Sequence, residues 1–182
     1  KRFTVQKTRQ HISAIQGFLI EQGISKGDRV AAMLPNMPEA IYAMAAVTAL
    51  GAIWSSCSPD FGAKGVLDRF NQIAPKFFLT CDGYHYGGKR FEIANKLLEI
   101  VPNLGAEITI ILPLLGHADE VANSHHTALS MDEFLDGHVE GDVKFERLPF
   151  NHPLFILFSS GTTGVPKCIV HSHGGTLLKL VC

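Results

Sequence analysis

The 182 residues carry 16 Lys and Arg against 17 Asp and Glu, a net charge of −1, and no local basic patch that would draw a nucleic-acid backbone or an anionic membrane surface. Apolar residues make up 46% of the chain and charged residues 18%, enough to bury the core of one domain. The longest apolar run, residues 40–54, has 15 residues including Thr48 and Gly51, short of the roughly 20 needed to cross a bilayer.

Residues 8–22 place Ile12, Ile15, Phe18 and Leu19 on one stripe, which predicts an amphipathic helix ended by Gly23. Lys26-Gly27-Asp28 is a turn, and residues 29–34 form a compact apolar run stopped by Pro35, the pattern of a buried strand. Asn36 is expected to cap the next helix, with Pro38 in its first turn, residues 39–50 apolar nearly all round and Gly51 closing it. The alternation continues with strand 52–57, helix 63–73 ended by Ala74-Pro75, strand 76–81, helix 91–101 and strand 107–112. Such a pattern implies an α/β fold, a mostly parallel sheet with helices on both faces. Residues 116–151, rich in His, Asp, Glu and Gly, read as a surface excursion with a short helix over 131–135, and residues 154–158 as a last buried strand.

After that strand comes Ser159-Ser160-Gly161-Thr162-Thr163-Gly164-Val165-Pro166-Lys167, four hydroxyls, two glycines and a lysine in nine residues. A polyphosphate needs close backbone approach, N–H and O–H donors and a compensating positive charge. Gly161 and Gly164 allow the approach, the hydroxyls donate, and Lys167 is a point charge. A Walker-type loop is excluded, because Gly161 leads to Pro166-Lys167-Cys168 where that motif needs Gly-Lys-Ser/Thr. Residues 168–172 read as a strand, so no helix N-terminus stands behind the loop.

In these nine residues the chain resembles the adenylate-forming superfamily of acyl-CoA synthetases, luciferases and peptide-synthetase adenylation domains. Its phosphate loop reads (Thr/Ser)-Ser-Gly-(Ser/Thr)-Thr-Gly-x-Pro-Lys, and every position fits; Cys168 stands where Gly is usual. Residues 26–36 and 46–52 resemble the superfamily's GDRV…PN…GA region. Residues 58–62 with 168–176 are most similar to its acetoacetate–CoA ligase branch. The resemblance implies that Ser159, Ser160, Thr162, Thr163 and Lys167 line the β- and γ-phosphates of ATP, with Gly161 and Gly164 shaping the loop. Lys167 and Thr162 are the residues expected to serve catalysis. It further implies ATP, Mg²⁺ and coenzyme A as cosubstrates of a short carboxylic acid, with acetoacetate favoured over acetate or propionate, and a cytoplasmic enzyme. The alternative is a nucleotide-binding fragment without turnover, since the superfamily's later Tyr-Gly-x-(Thr/Ser)-Glu motif, ribose Asp, hinge and C-terminal Lys have no counterpart here. Residues 1–182 are accordingly expected to be a partial adenylation domain, an internal piece that begins at Lys1 and stops in the apolar run 177–182.

Other residues have plainer readings. His171 and His173 would share a strand face, but no third ligand is nearby, and no metal site is expected. His125-His126 read as solvated. Asp60 is expected to enter the helix as a cap and Asp68 to be solvated. Tyr84, Tyr86, Lys89 and Arg90 read as a surface turn. Cys57, Cys81, Cys168 and Cys182 form neither a CxxC pair nor a dense disulfide framework, the first two being expected as buried thiols.

Overall fold

Thr4 is extended, and its hydroxyl accepts the Lys7 N–H, which starts helix α1 (Val5–Glu21) three residues before the expected start at residue 8. The computed structural model describes residues 3–123, 128–130, 141–159 and 164–182. Strand β1 (Arg29–Met33), helix α2 (Pro38–Ala49), strand β2 (Ile53–Cys57), helix α3 (Ala63–Phe70) and strand β3 (Phe77–Cys81) follow the expected alternation. Asn36 does not cap α2. The N-cap is Met37, with no side-chain bond, and Pro38 in the first helical position lacks one of the N–H groups that a helix start leaves unpaired.

The expected helix 91–101 starts later, as α4 (Ala94–Leu104), because residues 83–92 are a hairpin. Strands β4 (Gly83–Tyr86) and β5 (Lys89–Glu92) pair antiparallel across Gly87-Gly88, both at positive φ (56° and 75°). A two-residue turn of that hand matches the strand twist and favours glycine. Strand β6 (Ile108–Leu112) stands as expected, whereas α5 (Ala118–Asn123) and β7 (Ala128–Ser130) add regular structure to the stretch read as an excursion. The helix expected over 131–135 and His125-His126 lie outside the described residues. The chain continues through β8 (Pro153–Phe158), β9 (Cys168–Ser172) and α6 (His173–Val181).

Among the described residues the main sheet runs β7-β6-β3-β1-β2-β8-β9, all parallel except β9, which is antiparallel to β8. From β1 the chain crosses to β2 on one side and then back to β3 on the other. Right-handed crossovers therefore put α2 on one face and α3, α4 on the opposite face. Two adjacent residues of β3 report the same layering. The Phe77 ring meets Phe18 of α1 at 6.1 Å, while Phe78 meets Phe70 of α3 at 6.1 Å, and neighbouring strand residues point to opposite faces. Ile15, Leu19, Ala43 and Val47 fill the α1/α2 side against Val30, Trp54 and Phe77; Val66, Phe70, Leu97 and Ile100 are buried on the α3 and α4 helices.

Two buried polar side chains pin the connections, one just after the carboxyl end of β3 and one on α1. Asp82, 2% exposed, accepts the N–H groups of Leu114 and Leu115 on Oδ1 and of His117 on Oδ2, each at 2.8 Å. Gln16, 3% exposed, exchanges two hydrogen bonds with the backbone of Lys144, and Glu146 N–H donates to Ala49 O, so residues 144–146 are tied to α1 and α2.

Candidate functional site

The phosphate-type loop leaves β8 and returns as β9. Phe158 is paired with Cys168, and the Ser159 N–H donates to the Lys167 carbonyl at 3.1 Å, closing the base of the loop. The strand expected after Lys167 is present as β9 (Cys168–Ser172). Ser159 is half-buried; Gly164, Val165 and Lys167 are exposed, and Gly164 has a φ of 115°, outside the comfortable range of an L side chain. Among the described residues, no ion pair engages the Lys167 ammonium group. Ser160, Gly161, Thr162 and Thr163 lie outside the described residues.

β8 is the parallel neighbour of β2, so the loop stands at the same end of the sheet as the turns after β1 and β2. That end also carries an open cavity of about 490 Å³ lined by residues 34–36, 56–60 and 84–86. Open parallel sheets bind ligands beyond the carboxyl ends of their strands, where the strand order reverses. Asp60 does not cap α3, whose N-cap is Gly62. Its carboxylate instead accepts the Tyr84 hydroxyl at 2.6 Å and the Ser58 hydroxyl at 2.8 Å, bonds that hold it below the usual carboxylate range. The same bond from Tyr84, with burial, pushes the phenol up to about 12. Tyr84 stacks on Phe91 at 5.2 Å, so the expected surface turn is a hairpin with one buried aromatic wall facing the cavity. Asp68 pairs with Lys64 along α3.

Sequence reasoning missed a further contact with the loop. Gln72, just beyond α3, donates from Nε2 to Pro166 O at 2.8 Å and accepts the Cys168 thiol on Oε1 at 3.4 Å. Nothing local marks Gln72 for this, because its partners are more than ninety positions away.

His171 and His173 do not share a strand face. Ser172 ends β9 and caps α6 by accepting the Gly175 N–H, so His173 is the first residue of a helix. There its ring lies 5.7 Å from that of His152, and burial together with His152 lowers its basicity. Among the described residues no three His, Cys, Asp or Glu side chains converge as a metal cluster, and no helix is long and apolar enough to cross a membrane.

Cys81 is buried as expected, whereas Cys57 is half-buried at the end of β2. Burial pushes Cys57 and Cys81 up to about 12, while Cys168 and Cys182 are exposed. With a disulfide reagent at pH 8, Cys168 and Cys182 are expected to label first, with Cys57 and Cys81 slower by roughly a hundredfold or more until the chain unfolds. Mass mapping of the labelled peptides checks this.

Comparison with known proteins accounts for the whole chain. It is 56% identical over 178 residues to the acetoacetyl-coenzyme A synthetase of Rhizobium meliloti (strain 1021), covering 98% of this chain and 27% of that protein. It is 42% identical to the acetoacetyl-CoA synthetase of Macaca fascicularis, with the same coverage of each. The chain thus spans about 27% of the length of these curated relatives. The solved acetoacetyl-CoA synthetase from Streptomyces lividans superposes with a TM-score of 0.86 at 39% identity, over 94% of this chain and 26% of that one. A family profile described as AMP-binding enzyme matches residues 1–182, and with a mostly parallel sheet that places the glycine-, hydroxyl- and lysine-bearing loop at its carboxyl end, the chain belongs to the AMP-binding enzyme family.

Proposed function

We propose that this chain supplies the phosphate-holding part of an ATP-dependent acid–thiol ligase whose acid is acetoacetate. The observation that carries the reading is the nonamer 159–167, mounted between β8 and β9 in a chain whose relatives are acetoacetyl-CoA synthetases. Residues 1–182 then form part of an adenylation domain, completed by segments elsewhere in the protein.

In this reading the acid's carboxylate oxygen attacks the α-phosphorus of ATP, forming an acyl-adenylate and releasing pyrophosphate. The sulfur of coenzyme A then attacks the acyl carbon, and AMP leaves. The chain needs to supply no nucleophile. Its task is to hold the β- and γ-phosphates in place and to offset the charge that grows on the departing pyrophosphate. Ser159, Ser160, Thr162 and Thr163 donate hydroxyls, Gly161 and Gly164 let the backbone approach, and Lys167 brings the positive charge. Mg²⁺ suits a site of this kind as a partner of the ATP phosphates, because it keeps most of its waters and needs few protein ligands. When bound it shares the neutralisation of phosphate charge. The cavity at residues 34–36, 56–60 and 84–86 offers room at the same end of the sheet for a second substrate. Scattered thiols fit a reducing cytoplasm.

The test is a panel of short acids with the full-length protein, reading CoA-dependent formation of AMP. Acetoacetate is expected to give the highest kcat/KM. A higher value for acetate or propionate replaces the acid, and MgATP binding without AMP formation favours a nucleotide-binding role without turnover.

A further inference from the structure

Lys167 sits on the returning limb of the loop, and the limb has little packing of its own. Gly164, Val165 and Lys167 are all exposed. A lysine presents a point charge at the end of four rotatable carbons, so its backbone position decides where that charge can be offered. One hold on the backbone comes from within the hairpin, the Ser159 N–H to the Lys167 carbonyl.

The second comes from outside it. Gln72 Nε2 donates to Pro166 O at 2.8 Å, and its Oε1 accepts the Cys168 thiol at 3.4 Å, so one amide grips the chain on both sides of Lys167. Pro166 has no N–H, which leaves its carbonyl as the backbone group available for such a grip. The amide is itself oriented, since Nε2 also donates to Asp68 O at 2.6 Å. Its root is firm as well. The Gln72 N–H bonds Arg69 O, and Phe70, fully buried, lies with its ring 6.3 Å from Phe158 at the end of β8. The α3 end is therefore packed against the strand that launches the loop, with Gln72 reaching from the first to the return of the second.

We propose that Gln72 is a positioning residue for Lys167, its amide fixing the limb 166–168 so that the ammonium group is presented to the ATP phosphates from a set place. The proposal rests on the phosphate-loop reading above. It concerns neither the acid nor the thiol, so its effect is confined to the nucleotide.

The experiment measures the Kd for MgATP by calorimetry in the full-length protein for four forms: wild type, Q72M, K167A and Q72M/K167A. The KM values for MgATP and for the acid, and Tm, are measured alongside for wild type and Q72M. Q72M keeps the length of the side chain and removes both of its bonds to the limb. It is expected to weaken MgATP binding about 5- to 10-fold, to raise the KM for MgATP in step, and to leave the KM for the acid and the Tm near wild type. If Gln72 acts through Lys167, Q72M adds little once Lys167 is gone. Q72E, which keeps an acceptor for Cys168 but sets a carboxylate oxygen against the Pro166 carbonyl, is expected to bind MgATP at least as poorly as Q72M. MgATP binding unchanged in K167A overturns the phosphate-loop reading itself. Weak binding in K167A with normal binding in Q72M and Q72E, or losses that simply add in the double variant, overturns the role of Gln72 and leaves the loop reading standing. A fall in Tm with MgATP affinity unchanged likewise assigns Gln72 to stability alone.

Discussion

Replacing Lys167 with Ala in the full-length protein is expected to cut acid-dependent ATP–pyrophosphate exchange by about 10²- to 10³-fold, the size of effect seen when a positioned electrostatic partner of a developing charge is removed. The argument rests on where the charge sits. Lys167 is exposed beside the last residues of a loop closed by the Ser159 to Lys167 backbone bond, and among the described residues no carboxylate pairs with it. Its ammonium group is thus available to an anion rather than committed to the fold. Because the side chain is exposed, truncation should leave Tm nearly unchanged, which separates lost chemistry from lost folding. K167R restores the charge with a planar, wider group and should recover only part of the rate. Exchange in K167A within a fewfold of wild type contradicts the assignment.

The largest expected effect on stability lies at Asp82. Its carboxylate is almost fully buried and receives three backbone N–H groups from residues 114, 115 and 117. D82A removes the acceptor and leaves the Leu115 and His117 N–H groups to find water or go unpaired, while the Leu114 N–H keeps its bond to Leu112 O, at a cost of about 3–5 kcal/mol. D82N keeps the shape and one carbonyl oxygen, so the two N–H groups on Oδ1 can stay bonded while an NH₂ faces the third. Its expected cost is about 1–3 kcal/mol. Urea unfolding of the variants checks the order, and a loss under 1 kcal/mol for D82A contradicts it. A neighbouring constraint makes this corner sensitive to side-chain size too, since a Cβ on Gly83 would overlap the Phe91 carbonyl oxygen and the Leu115 side chain.

The helices and parallel strands up to β3 were legible in the sequence because each has one dominant period or one compact apolar run. Ile15, Phe18 and Leu19 mark the buried stripe of α1 directly. The loop was legible because its chemistry is contiguous in the chain. The hairpin 83–92 was not, since Phe91 and Ile93 also suit a helix start. Gly87-Gly88 between Tyr-His-Tyr and Lys-Arg-Phe was the local signal available. Asp60, Gln72 and Asp82 lie beyond any local reading. Each is a polar side chain with a partner 24 or more positions away, brought near only by the order of the strands. His173 was misplaced for a different reason: Ser172 both ends a strand and caps a helix, and alternation alone cannot see the change of period.

Phe77 and Phe78 face the two helical layers from one strand that is hydrogen-bonded on both sides, to β1 and to β6. Deleting or inserting one residue between 77 and 81 would turn the residues on one side of the change to the opposite layer and misalign both ladders at once. This segment can therefore accept changes of residue type over time but is closed to changes of length, and indels in a divergent copy should fall in the connections on either side of it.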